Sequence, residues 1–420
     1  MRSRSSFNSL FAATLGLAAV GVVVVLFGNA RVASAQTSAV AISIDELIYR
    51  GLQHNAEGDY DAARAVWNHL ANLDPEHPAA NVYATETLYW RVVHEEDGTR
   101  FYAAIRRECD EAIRKAEAWV GASPGEAYGH FYLGQALMQL GRLHGTQARI
   151  FTAWRLGERG RSALEKALEL DADLIDAKFP IGLYDYYASL VPDFFNWLSF
   201  LWFVPSGHGD RGIAFMEDVA RDGTLHRVTA EFHLANVRSE HPKRIDLDSA
   251  YAAYRSLHAR YPRNAIIHFQ LIEVLEMRGA YKDLVVEARV LEAHPGRGRH
   301  HRGLADMARV WRARGEMMLH DIDDAWKTLT VFGDDDPENP DWGSRWVKLT
   351  RAQLLDLRGE RDQALDLYGS VLALDFDSNI SRARSIAAHG ADQPFRLDGG
   401  PPTTKSHESH PPPGFSLPTP

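Results

Sequence analysis

DELIYRGLQHNAEGDYDAARAVWNHLANLDP, running from Asp45 to Pro75, carries two helical stripes and the turn between them. Apolar residues return every third or fourth position on both sides of Gly58, the spacing of two amphipathic helices, and a glycine between them relieves the backbone where one helix ends and the next begins. Gly51 and Ala63 are small where two helices must approach, Trp67 is large enough to fill the space beside them, and Pro75 closes the second helix. This spacing predicts Gly51 and Ala63 at the crossing of a helical hairpin. The same register returns near the other end as Gly359, Ala364, Tyr368 and Leu372. Between them, Ala250, Tyr254, Leu257 and Pro262 repeat the second half, and Gly279-Ala280-Tyr281 repeats the turn. Gly134 in YLGQAL and Ala167-Leu168 in EKALEL are the two halves of a further unit separated by an enlarged link. Eight helix pairs are expected, beginning near residues 44, 79, 126, 173, 225, 264, 300 and 342.

These offsets resemble the tetratricopeptide-repeat (TPR) superfamily over residues 44–376. The resemblance implies an all-α fold, a right-handed superhelical solenoid of antiparallel helix pairs whose first helices line a concave face that holds a protein or peptide segment. Carried over position by position, the groove would present Phe131, Phe179, Phe232 and Phe269 at one repeated place, with Tyr128, Gln135, Tyr186, Asn236 and Glu273 nearby. The four phenylalanines have two readings: an apolar ladder that anchors a partner, or side chains buried between neighbouring first helices. TPR domains that clamp a C-terminal carboxylate use Lys, Asn and Arg at these positions, and that set does not occur here.

Arg2 and Arg4, the apolar run from Leu10 to Phe27, and Ala33-Ser34-Ala35 before Gln36 have the order of a secretory signal over residues 1–35. An uncleaved N-terminal anchor is the alternative, because the apolar run approaches the length of a membrane span. Both place the rest of the chain outside a bacterial cytoplasm, in the periplasm or held at the inner membrane. Two insertions are expected in the array. Residues 142–160 lengthen the third pair, and residues 190–208 interrupt the fourth with Phe194, Phe195, Trp197, Phe200, Trp202 and Phe203. That aromatic cluster suits a core helix, a lid over the groove or a peripheral membrane contact. Past Asp377 the pattern fades into a C-terminal extension, residues 377–420, whose proline-rich end from about residue 399 has no apolar periodicity.

The chain has 420 residues and a formal net charge of -10, which argues against nucleic acid as a partner. Its single cysteine, Cys109, excludes an intramolecular disulfide and a multi-cysteine zinc site and reads as a buried helix residue. No Gly-rich phosphate loop, GxSxG turn or HExxH helix occurs, and His294, His300 and His301 read as a solvated basic loop. The expectation is a non-catalytic binding scaffold with no cofactor and no metal. A solenoid small-ligand receptor or an enzyme is the alternative, and clustered carboxylates or histidines with strongly shifted pKa values in the groove would favour it.

Overall fold

The computed structural model describes residues 43–92, 98–190, 208–241, 245–293, 299–333, 341–373 and 381–397. The chain divides into Met1–Leu47 and Ile48–Pro420. In the first unit the described part is a helix start, where the Ser43 hydroxyl accepts from the Glu46 N–H at 3.1 Å and the Ser43 carbonyl from the Leu47 N–H at 3.1 Å. The signal or anchor reading of residues 1–35 lies outside the described residues. No described helix is long and apolar enough to cross a membrane.

The rest is helical, with no strand among the described residues, and successive helices pair. The order begins with α1 (Ile44–Ala56) and α2 (Tyr60–Leu73), then α3 (Ala79–Val92) and α4 (Tyr102–Ala122), then α5 (Ala127–Thr146) and α6 (Ile150–Leu170). It continues with α7 (Lys178–Ser189) and α8 (Gly209–Asp222), α9 (Arg227–Glu240) and α10 (Leu247–Arg260), and α11 (Ala265–Met277) and α12 (Tyr281–Ala293). It ends with α13 (Arg299–Met318) and α14 (Ile322–Leu329), α15 (Asp341–Arg358) and α16 (Arg361–Leu372), and a last helix α17 (Ser381–Asp392).

The small-and-large register is what packs the pairs. Ala63, Ala250 and Ala364, the repeated small position, are fully buried, and so are Trp67, Tyr254 and Tyr368, the repeated large one. A Cβ on Gly51 would lie 2.1 Å from the Trp67 ring, so the indole occupies the space glycine leaves at the crossing. Aspartate and asparagine side chains start the helices: Asp59 accepts from the Ala62 N–H, Asp246 from Ser249, and Asn264 from Ile266 and Ile267.

One turn geometry joins five of these hairpins. At Gly58 (φ +76°) the glycine N–H reaches the Asn55 carbonyl at 3.0 Å and the next N–H, of Asp59, reaches back to His54 at 2.9 Å. Gly279 and Gly359 repeat both bonds to within 0.1 Å, each with a positive φ. Ala148 (φ 55°) and His320 (φ 70°) make the same two bonds without a glycine. A Cβ in that backbone region costs roughly 1–2 kcal/mol, so these two turns are held by the helices they connect. They are also invisible to a search for glycine. The link after α5 is therefore not enlarged: residues 142–160 lie in the extended ends of two long helices and the short turn between them.

Two pairs cross backbone to backbone. A Cβ on Gly134 would meet the Gly160 carbonyl at 2.8 Å and the reverse distance is 2.9 Å, joining α5 to α6. Gly182 and Gly212 join α7 to α8 in the same way, at 2.7 and 2.5 Å. The aromatic stretch 190–208, with Phe194, Phe195, Trp197, Phe200, Trp202 and Phe203, falls almost wholly outside the described residues. So does the proline-rich tail.

The pattern does not fade at Asp377 as expected. In α17 Ala383 and Ala387 are buried, and a Cβ on Gly390 would lie 2.4 Å from the Tyr368 ring, much as Gly51 meets Trp67. Packing also reaches far along the chain. Asn264 donates to the Ala56 carbonyl at 2.9 Å, Arg263 pairs with Glu57, Thr229 donates to Glu86 at 3.1 Å, and the Trp90 and Phe232 rings meet edge to face at 4.9 Å. Early first helices thus touch later ones through individual side chains.

Candidate binding surface

The four phenylalanines expected as an exposed ladder are interior. Phe131 is 0% and Phe269 2% exposed, with Phe179 and Phe232 at 6% and 7%. The cause is the long-range packing just described: Phe232 lies against Trp90, Phe179 stacks on His226 at 5.2 Å, and Phe269 meets Trp311 at 5.3 Å. The exposed-anchor reading is therefore corrected to the core reading. Gln135 is likewise buried, its Oε1 2.9 Å from His226 Nε2, and Tyr186 is buried beside Tyr187 at 5.3 Å. Tyr128 is 45% exposed. Asn236 and Glu273 keep partial exposure; Asn236 accepts from the Tyr254 hydroxyl, and Glu273 accepts from Gln270 Nε2 at 2.8 Å.

Around those two polar residues lies a surface the sequence did not disclose. Arg142 on α5, Tyr187 on α7, His233 and Glu240 on α9, and Gln270 and Glu273 on α11 come from four successive first helices and are linked in pairs: Arg142 acts by charge on Tyr187 and His233, Glu240 on Tyr187 and Glu273, and Gln270 donates to Glu273. Arg142 stands over the Tyr89 ring at 4.3 Å. Its charge, after burial, helps hold His233 at a pKa of about 3, so that imidazole is neutral at pH 7. Burial, reinforced by the charge of Glu240, pushes Glu273 up to about 8. Glu240 is exposed to water on one side, and the protein mass beside it pushes its carboxyl up to about 7. The result is a pair of carboxyls that hold protons near neutrality and would release them to an arriving cation.

The neighbouring carboxylate behaves in the opposite way. Burial pushes Glu276 up as well, but Arg382 and Arg314 outweigh it and hold the group at about 2. Arg314 donates to Glu276 at 2.7 Å and to Gln353 at 3.1 Å, Arg382 pairs with the other carboxylate oxygen, and both guanidinium groups stand over Trp346. This network joins α11, α13, α15 and α17 below the polar surface. Cys109 is buried, its thiol pushed up to about 12 by desolvation, as suits a packing residue.

A pH dependence follows from Glu273. Its folded pKa of about 8 lies above an unfolded value of about 4.3, so the folded chain binds the extra proton and its contribution is fully present below pH ~4.3. That contribution is lost as pH rises through the folded value. Glu273→Gln, a permanently neutral mimic, should therefore gain on the parent by more than about 1 kcal/mol between pH 5 and 8, read as the difference of two urea-unfolding profiles. A difference that stays flat over this range would contradict the assignment.

No protein-family model matches the chain, and no curated protein does. Solved structures do. TTC0263, a thermophilic TPR protein of Thermus thermophilus, is 17% identical, with 56% of this chain and 99% of that one covered and a TM-score of 0.34. Yeast Tom70 is 10% identical over 81% and 87%, with a TM-score of 0.39, and the TPR domain of P58(IPK) is 12% identical over 83% and 88%, with a TM-score of 0.23. The fold class, an all-α array of helix pairs similar to the TPR type, rests on the chain's own register: Gly51 against Trp67, the buried alanines, and the repeated turn.

Proposed function

We propose that the array is a binding scaffold of a bacterial cell envelope that captures a basic protein segment across α5, α7, α9 and α11. One observation carries this: Glu240 and Glu273 reach the surface in surroundings that penalise their charge, and neither is ion-paired among the described residues. A Lys or Arg side chain arriving there supplies the missing counter-charge, while Asn236 and Gln270 hydrogen-bond the segment and Arg142 repels the wrong register. The envelope setting rests on the charged, apolar and small-residue order of residues 1–36.

The raised carboxyls favour a second reading, a small organic cation as ligand. Such ligands usually occupy cavities of about 300–1,000 Å³. A depression of about 740 Å³ is lined by Asn81, Arg106, Glu108 and Arg114 on α3 and α4, and a cavity of about 30 Å³ lies between α1, α3 and α9; neither includes either glutamate. The extended segment is the better fit.

A photoreactive amino acid at Arg142 in the full chain, expressed in its native envelope, tests the proposal. A discrete protein adduct is expected there, absent when the same group is placed at the outward Val286 of α12 and lost on Glu240→Lys with the helical circular dichroism unchanged. Equal labelling at both positions, or an adduct indifferent to Glu240→Lys, sinks it. A proton-linked small-cation affinity without any protein adduct would replace it with the second reading.

A further inference from the structure

Outside that surface, three consecutive helices bring two histidines and a glutamate together. His258 near the end of α10, His268 in the first turn of α11 and Glu287 in the middle of α12 each offer one donor atom, and the three atoms lie within 4.8 Å of one another. His268 is buried, its Nε2 2.8 Å from a Glu287 carboxylate oxygen, and Glu287 keeps a third of its side chain in contact with solvent. The two imidazole rings stack at 4.0 Å with 27° between their planes. His258 Nδ1 is sealed from water and has no hydrogen-bond partner among the described groups.

We propose that His258, His268 and Glu287 form a site for a borderline divalent metal ion, zinc in the first instance, that ties α10 to α11 and α12. The donor chemistry fits: two imidazole nitrogens and one carboxylate oxygen are the ligands zinc takes when a fourth position stays open to water. The orphaned Nδ1 is the observation that separates a ligand site from a simple His–Glu hydrogen bond, because a buried polar atom without a partner costs roughly 1–3 kcal/mol. An incoming ion removes that cost.

The required rearrangement is small and specific. Ligands about 2.0–2.2 Å from a tetrahedral zinc stand farther apart than the present 2.8 Å contact and closer than the 4.8 Å limit. The His268–Glu287 contact must therefore open, with Glu287 free to yield on its solvent side, while His258 moves in. The stacked rings aim their in-plane lone pairs side by side, so His258 must also turn out of the stack. Loading exchanges the proton between His268 and Glu287 for the ion. The side chains of the histidines singled out from sequence, His294, His300 and His301, lie outside the described residues.

Zinc titration of the full chain against a chromophoric chelator, with histidine-selective nitrogen NMR, tests this. One equivalent is expected to bind with shifts confined to His258 and His268, and the unfolding temperature should rise with free zinc. Glu287→Gln, which keeps shape and hydrogen bonding, should weaken that equivalent at least about tenfold, and His258→Ala should do the same. If His258→Ala fails to fold, Glu287→Gln alone carries the readout. No tight equivalent, or one unchanged in Glu287→Gln because loop or tail histidines hold the ion, overturns the proposal.

Discussion

Asp176→Ala is expected to destabilise the fold by about 3 kcal/mol or more and to loosen α9 before any other helix. The Asp176 carboxylate is buried and accepts from the Thr224 hydroxyl and N–H at 3.0 Å, from the Leu225 N–H at 3.0 Å and from the His226 N–H at 2.8 Å. These are the otherwise unpaired donors ahead of and at the start of α9, and a carboxylate there also faces the positive end of the helix. Burial pushes this carboxyl up, but His226 and the backbone donors outweigh it and hold it below the ordinary range. Its folded pKa is thus depressed, so its contribution is present above an unfolded value of about 3.9 and is lost as pH falls through the folded one. Truncation strands a buried His226 N–H and a half-buried Leu225 N–H at roughly 1–3 kcal/mol each, while exposed Thr224 turns to water. Urea unfolding gives the magnitude, and hydrogen exchange gives the place: amides 224–230 should lose protection first, since a repeat array is stabilised by nearest neighbours. A loss under about 1 kcal/mol would mean that water substitutes for the carboxylate.

Asp176 also shows why parts of this architecture escape the sequence. It caps a helix roughly 50 residues further on, and nothing in its own neighbourhood signals that role. What was legible is local. Gly51 with Trp67, Ala63, Ala250 and Ala364, and the turns at Gly58, Gly279 and Gly359 are short-range spacings that steric fit imposes in each hairpin, and they place most of the helix starts. Ala148 and His320 adopt the same turn with residues that hide it, held in that backbone region by the helices on either side. In α17 the signal was present as Ala383, Ala387 and Gly390, small residues on one face, but no glycine turn announced it.

The binding surface was less legible for the same reason. A repeat register says which side of a first helix faces its neighbours, not whether a later helix covers it. Phe232 sits where the register put it and is covered by Trp90, from a helix far earlier in the chain. Asn236 and Glu273 were found because they lie on the same stripe. Glu240 and His233 were missed because an isolated acid and histidine on a helix read as ordinary solvated residues until their surroundings are known. Only the protein mass around them turns them into a carboxyl near 7 and a permanently neutral imidazole.

Glu276→Ala is expected to have the largest effect, about 3–5 kcal/mol, because removing one member of a buried ion pair leaves its partner's charge uncompensated. Arg314 is 6% exposed, and its guanidinium is left with Gln353, Thr350 and the face of Trp346 as company. Arg382 retains some solvent contact and loses less. The sign of the pH effect is opposite to that of Glu273: with Glu276 held near 2, its contribution is present above pH ~4.3 and is lost as acid protonates it. Removing it has a second consequence. Glu276 is one of the like charges that raise Glu273 while Arg382 lowers it, so in Glu276→Ala the Glu273 pKa should fall from about 8 toward the ordinary range. Glu273 then takes over part of the pairing with Arg382, and the stability difference between Glu276→Ala and Glu276→Ala/Glu273→Gln should show a flatter pH trend than that expected of the parent. Adding Arg314→Met to Glu276→Ala should recover most of the loss, since an apolar chain of similar length replaces the stranded charge. Unfolding midpoints at pH 5 and 8 of the parent, Glu273→Gln, Glu276→Ala, Glu276→Ala/Glu273→Gln and Glu276→Ala/Arg314→Met decide the matter: a Glu276→Ala loss that Arg314→Met does not repair would place the energy in packing, and a Glu273 trend that persists unchanged would remove the coupling between the two glutamates.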